Sequence, residues 1–142
     1  MILILVTRRD IIDDLVDIVY PMPDLPADDA GEAVQDGRDG VEARRRGFEE
    51  SLRLAEEKAG YCYDPLLSEI SRARKEMREA EQKMRLLVAY GREFISPRPY
   101  QLKDLAAAAG YSVSGTRSAY NEDEISDVAA RVGRLPRSQR GA

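Results

Sequence analysis

The sequence has no His, no Trp and a single Cys, Cys62. Without His, the chain cannot build a Ser-His or Cys-His nucleophile, use imidazole as an acid or base, or assemble the common zinc sites. A lone Cys forms no internal disulfide, so a reducing cytoplasm is the expected setting. Long apolar runs are also missing. The opening "MILILV" has six apolar residues and no basic stretch before them, too short for a signal peptide or a membrane span. No Gly-rich phosphate loop and no carboxylate cluster suggests a catalytic cleft. The chain therefore reads as a non-enzyme, with no cofactor, no metal and no membrane partner expected. Aromatic residues amount to only 6%, which implies a thin core and long solvated faces.

Charge is plentiful, at 34% of residues, and unevenly placed. Residues 1–64 carry 8 basic and 16 acidic side chains, and residues 65–142 carry 14 and 10. An acidic front and a basic back direct any polyanion to the C-terminal half. Of the 22 basic residues, 18 are Arg, a bias that follows from GC-rich coding and also suits phosphate contact.

Hydrophobic period and punctuation predict an all-α fold: a long-helix hairpin or coiled coil, then a small helix-turn-helix bundle. Residues 1–20 form an N-terminal amphipathic segment. Its helix spans 7–20, with Thr7 and Asp10 as a capping pair and apolar rows Ile11, Leu15, Ile18 and Ile12, Val16, Val19. Residues 21–40 hold three Pro, three Gly and six acids. They read as an acidic linker, either a solvated tether or a segment folding back on a basic surface. Residues 41–96 form the helical hairpin. Its first helix, 41–59, carries Val41, Phe48, Leu52, Ala55 and Ala59 on one face, interrupted by Arg45, and Gly60 ends it. Asp64-Pro65 starts the second, with Asp as N-cap and Pro at the first helical position.

That second helix has the clearest period in the chain. Leu66, Ile70, Ala73, Met77, Ala80, Met84 and Leu87, continued by Gly91 and Phe94, follow alternating steps of four and three, an unbroken heptad seam. Such a seam packs on helix 41–59 within one chain, or on a second chain to make a homodimer; the pattern allows both. Towards its end the apolar face widens through Leu86, Val88, Tyr90 and Ile95, so a compact unit should follow.

Pro97 and Pro99 stop the long helix. A short helix then begins at Tyr100 or Gln101, with Leu102, Leu105, Ala106 and Ala109 as its inner row. Gly110 sits where a left-handed residue is needed. Ser112 caps a helix from Val113 to about Tyr120. Asn121, with Glu124 three residues on, caps another whose apolar row is Ile125, Val128, Ala129 and Val132, ended by Gly133.

The stretch Leu102 to Asn121 resembles the helix-turn-helix of prokaryotic repressors and sigma factors. Ala106 stands where the motif has a small residue in the middle of its first helix. Gly110 stands at the turn, and Leu105, Ala109 and Tyr111 at apolar positions. The sequence departs from the pattern at Thr116, where Val or Ile is usual, and at Leu102, where Gln is frequent although Gln101 is adjacent. The alternative for the same residues is a plain helical bundle with Gly in a turn.

The resemblance implies a DNA-binding domain over 97–133 whose second helix faces the major groove. Ser114, Gly115, Arg117 and Ser118 would look into the groove, and Gln101, Lys103, Ser112, Tyr120 and Asn121 would lie by the backbone. Arg117 would contact guanine bidentately or clamp a phosphate. Residues 134–142 form a basic flexible tail, in which Arg134, Arg137 and Arg140 would meet phosphates, or a frayed terminus. The function expected is sequence-specific binding of double-stranded DNA by a dimeric bacterial transcription regulator. The alternative is a helical protein–protein interaction module (an adaptor, an RNA polymerase-associated factor or an antitoxin-like protein) whose N-terminal half holds a protein partner.

Overall fold

A computed structural model describes residues 10–24 and 31–141. Those residues contain six α-helices and no strand: α1 (Ile11–Val19), α2 (Glu32–Ala59), α3 (Pro65–Glu93), α4 (Leu102–Ala109), α5 (Val113–Arg117) and α6 (Glu122–Val132), with short 3-10 turns at Gly60–Cys62 and Arg137–Gln139. The fold is all-α: two long helices in succession, then a small helical bundle. By compactness the chain divides into two units, Met1–Ala73 and Arg74–Ala142, with the boundary inside α3.

In the first unit α1 lies on α2. Asp10 caps α1: its carboxylate accepts from the Asp13 N–H at 3.0 Å, while the Asp13 carboxylate accepts from the Asp10 N–H at 3.1 Å. Both donors would otherwise lack partners. The helix expected from Thr7 is corrected, since Asp10 is extended and caps α1 instead of lying inside it; Thr7 itself lies outside the described residues. Ile12, Leu15 and Val16 bury against Phe48 and Leu52, and Tyr20 meets Phe48 edge-on at 5.4 Å. Of the two apolar rows read for α1, Ile11, Ile18 and Val19 remain exposed, because α2 covers only one side.

Arg45, which interrupts the apolar face of α2, has a structural use: its guanidinium pairs with Asp17 and donates to the Tyr20 carbonyl at the end of α1. Arg53 holds the other end of α1 through Asp10 at 2.9 Å and Asp13 at 3.4 Å. The Arg53 hydrogen bond, seconded by the Asp13 N–H, keeps the Asp10 carboxyl below the usual carboxylate range.

The expected linker over 21–40 is corrected in its second half, since α2 already begins at Glu32. The last Pro of the stretch is Pro26, and beyond it nothing removes a backbone donor. Gly37 and Gly40 each weaken a helix by about 1 kcal/mol, too little to stop propagation from the packed turns downstream. Gly60 ends α2 with φ +57°, as expected of that position, and the Asp64 carboxylate accepts from the Leu67 N–H at 3.0 Å to start α3.

Most of the α3 seam is exposed in the single chain. Leu66 is 42% exposed, Ile70 56%, Met77 65% and Leu87 60%, and Ala73 and Ala80 are exposed with them. Phe48 and Leu52 of α2 turn to α1 instead. Only the far end of the seam is covered: Gly91 is buried under Leu105, whose Cδ2 would lie 3.2 Å from a Cβ at position 91, and Phe94 is 1% exposed.

In the second unit Leu86, Ala89 and Phe94 of the α3 end form a core with Val128 of α6, joined by Tyr90, Tyr120, Ile125 and Ala129. Tyr90 stacks on Phe94 at 6.1 Å. Arg92 donates to the Tyr100 carbonyl at 2.9 Å, and the Tyr100 N–H to the Gly91 carbonyl at 3.0 Å, so the Pro-rich connection is tied back to the helix it leaves.

The reading of residues 134–142 as a flexible tail is corrected. Pro136 is buried and residues 137–139 make a 3-10 turn. Arg134 stands 5.7 Å over the Tyr90 ring. Arg140 donates to the carbonyls of Leu135, at 2.8 Å, and Phe94. Composition cannot distinguish a basic arm from one whose guanidinium groups cap the carbonyls of a helix end.

Candidate nucleic-acid interface

Gly110 separates α4 from α5. Its φ of +71° and ψ of +22° are left-handed, and the Tyr111 N–H bonds to the Ala106 carbonyl at 3.0 Å. A Cβ added there would meet nothing within 4 Å. Position 110 therefore requires Gly for backbone conformation, not for space. Gly110→Val is expected to cost about 1–2 kcal/mol because a β-branched residue resists positive φ. Gly110→Asn, which tolerates that region, should recover most of the loss. Thermal melts of the two variants check this; equal melting temperatures would mean that the turn does not need the left-handed residue.

Two residues later Ser112 opens α5, its Oγ accepting from the Gly115 N–H at 2.9 Å. Gly115 is half-buried, and a Cβ on it would sit 2.9 Å from that same Oγ. Gly115 is the third residue of α5, and its N–H serves the Ser112 cap.

Thr116, the departure from the usual Val or Ile, is 0% exposed. Its hydroxyl donates to the Ser112 carbonyl at 2.9 Å. A β-branched side chain satisfied by its own helix fills the place of Val without leaving an unpaired polar group.

The second helix is shorter than the expected 113–120. It ends at Arg117 because Ser118 turns its hydroxyl onto the Ser114 and Gly115 carbonyls, at 3.2 and 3.3 Å. A Ser that bonds back to its own backbone competes with the next helical turn.

Tyr120 then lies beyond α5 and serves the core. Its hydroxyl donates to Glu93 Oε1 at 2.7 Å, tying the turn to the end of α3. Burial, with the Glu93 carboxylate behind it, pushes the Tyr120 phenol up to about 12. The neutral phenol is the favoured form, so this tie is intact below the ordinary tyrosine value near 10 and is lost as pH rises from there through about 12. An ultraviolet titration should show one phenol ionising last, and Tyr120→Phe should remove that component. An unchanged titration curve in the variant would contradict the assignment. Asn121 is likewise engaged, accepting from the Asp123 N–H at 2.8 Å while Glu124 accepts from the Asn121 N–H at 2.9 Å.

Of the residues singled out from sequence, Ser114 and Arg117 on α5, Ser118 at its C-terminal end, and Gln101 and Lys103 at the start of α4 are exposed. Ser112 is exposed but committed as a cap. Asp104 is exposed on α4, and Glu122 and Asp123 at the start of α6, so the positive charge of Lys103 and Arg117 is local rather than a continuous field. Beside the turn an open groove of about 430 Å³ is lined by Tyr111, Ser112, Gly115, Ala119 and the ion pair Glu81–Arg85. Sequence reasoning did not single out Glu93, Glu81 or Arg85 here. Each reaches the site across the fold from α3, at a separation that no local pattern encodes.

Compared with protein-family models, with characterised proteins and with solved structures, the chain matches none. Among the described residues no helix is long and apolar enough to cross a membrane, and no group of three or more acidic or Cys side chains is placed to hold a metal ion.

Proposed function

We propose that residues 97–133 bind double-stranded DNA through α5, and that the protein acts as a sequence-specific transcription regulator in a bacterial cytoplasm. The observation that carries this reading is α5 itself. It is short and rich in small residues, held from beneath by Thr116 and fixed to α4 by the left-handed Gly110. Outward it presents Ser114 and Arg117, with Ser118 exposed at its end. Apart from Val113 its exposed side chains other than Arg117 are small, which favours close approach to a base edge, and Arg117 is its one long donor.

The test is selection of duplexes from a random pool by the full chain, then titration of the enriched and scrambled duplexes. Enrichment of a defined site is expected. Arg117→Ala should weaken that site by about 1–3 kcal/mol and the scrambled duplex little. Equal losses on both would make Arg117 a phosphate contact, and no enrichment at all would refute the reading.

With Arg140 turned onto backbone carbonyls and Arg134 onto a ring, Arg137 is the tail Arg with the best claim to a phosphate. A second reading, a helical protein-interaction module, is favoured by one observation: the apolar stripe left exposed along α3.

A further inference from the structure

The exposed stripe of α3 runs along one continuous helix and includes Leu66, Ile70, Ala73, Met77, Ala80, Met84 and Leu87. Only Met84 is half-buried. Exposed apolar area in a regular heptad, with charges at its flanks, is the pattern of a helix–helix interface.

Flanking charge identifies the occupant and its direction. The positions beside the seam are Leu67, Arg74, Glu81 and Val88 on one edge and Glu69, Glu76, Lys83 and Tyr90 on the other. In a parallel pair, opposite edges of the two copies meet. Glu69 then faces Arg74, but Glu76 faces Glu81, a repulsion repeated by symmetry. The layers would also stack Ala73 on Ala73 and Ala80 on Ala80, leaving voids.

In an antiparallel pair like edges meet. With the two-fold axis between Met77 and Ala80, Arg74 faces Glu81 of the second copy and Glu76 faces its Lys83, each contact occurring twice. The layers then set large against small: Met77 on Ala80 and Met84 on Ala73, closed by Ile70 on Leu87. Sliding by one heptad either way places Arg74 on Arg74 and Glu76 on Glu76, or Glu81 on Glu81 and Lys83 on Lys83. One register satisfies charge and volume together.

The end of the interface agrees. Beyond Leu87 the seam is closed by Leu105 over Gly91. Beside Leu87 lies an apolar groove of about 210 Å³ lined by Met84, Val88, Leu105, Ala108 and Ala109. In the same register it receives Leu67 of the second copy, which is 61% exposed in the single chain.

We propose that α3 pairs antiparallel with α3 of a second copy in this register, forming a homodimer. The pairing uses no residue of α5, and of α4 only the groove side chains Leu105, Ala108 and Ala109, none of them a proposed DNA contact, so it stands whether or not the protein binds DNA.

The unmodified protein supplies its own probe, because Cys62 is the only Cys, is exposed, and immediately precedes α3. Spin labels on Cys62 should lie more than about 40 Å apart in the dimer, since the two α3 starts are at opposite ends of the paired stretch at 1.5 Å per residue. Sedimentation should show a dimer at micromolar concentration. Glu81→Lys should weaken it by about tenfold, replacing an attraction by a repulsion at two symmetric places, and adding Arg74→Glu should restore it. Met77→Lys should give a helical monomer, because the free chain already exposes Met77. A monomeric wild type, a label distance below about 30 Å, or a tighter dimer in Glu81→Lys (the parallel outcome, where Lys would face Glu76) would each overturn the proposal.

Discussion

Phe94→Ala is expected to abolish the cooperative melting of residues 74–142 or lower it by more than about 12 °C. Phe94 is 1% exposed, stacks on Tyr90 and fills the space between Leu86, Ala89 and Val128. Truncating a buried Phe to Ala costs about 3–5 kcal/mol, a large share of the 5–15 kcal/mol typical of a whole domain. For a unit of this size each kcal/mol moves the midpoint by about 4–8 °C. The Phe94 carbonyl also anchors Arg140, so residues 134–140 should lose their place when the α3 end loosens. The proposed DNA surface depends on the same core, since Tyr120 and α6 pack on it, and binding should fail together with folding. Circular dichroism melts followed at fixed protein concentration check the stability. A variant with wild-type melting would show that this core does not hold the unit.

Phe48→Ala should be as costly in the first unit and leave the second intact. Phe48 receives Ile12, Leu15 and Val16 of α1 in one cluster, meets Tyr20 edge-on, and has Arg72 stacked 5.2 Å from its ring centroid. The loss is again about 3–5 kcal/mol. Because α1 has nine residues and buries its apolar side on Phe48 and Leu52, it should separate from α2 rather than adjust. Hydrogen exchange would then show α1 amides unprotected while amides of α4 and α6 keep their protection. Affinity for a selected duplex should stay at the wild-type value, since every residue proposed to meet DNA lies beyond position 73. Loss of protection in α6 would show that the two units do not fold separately.

Much of the fold was legible in the residues. Asp64, Ser112 and Asn121 start helices because short oxygen-bearing side chains satisfy the first backbone donors. Gly60, Gly110 and Gly133 end them because positive φ costs Gly nothing. These are local interactions, complete within a few residues, and a sequence displays them in full. The all-α class, the long α3 and the α4–α5 turn follow from the same local chemistry together with a hydrophobic period.

Three features were decided only by tertiary structure. Residues 32–40 became helix because propagation from packed turns outweighed two Gly. The basic tail became ordered because Arg140 and Arg134 found a carbonyl and a ring more than forty positions away in the chain. Tyr120, assigned from sequence to the DNA backbone, turned inward to Glu93. In the last two cases the deciding partner is distant along the chain, and burial chooses among partners that composition leaves equivalent. By itself the sequence determined the helical class, most of the caps and which faces are apolar. Which of those faces is covered was settled by packing: α1 took the apolar face of α2, and most of the α3 seam from Leu66 to Leu87 stayed exposed in the single chain.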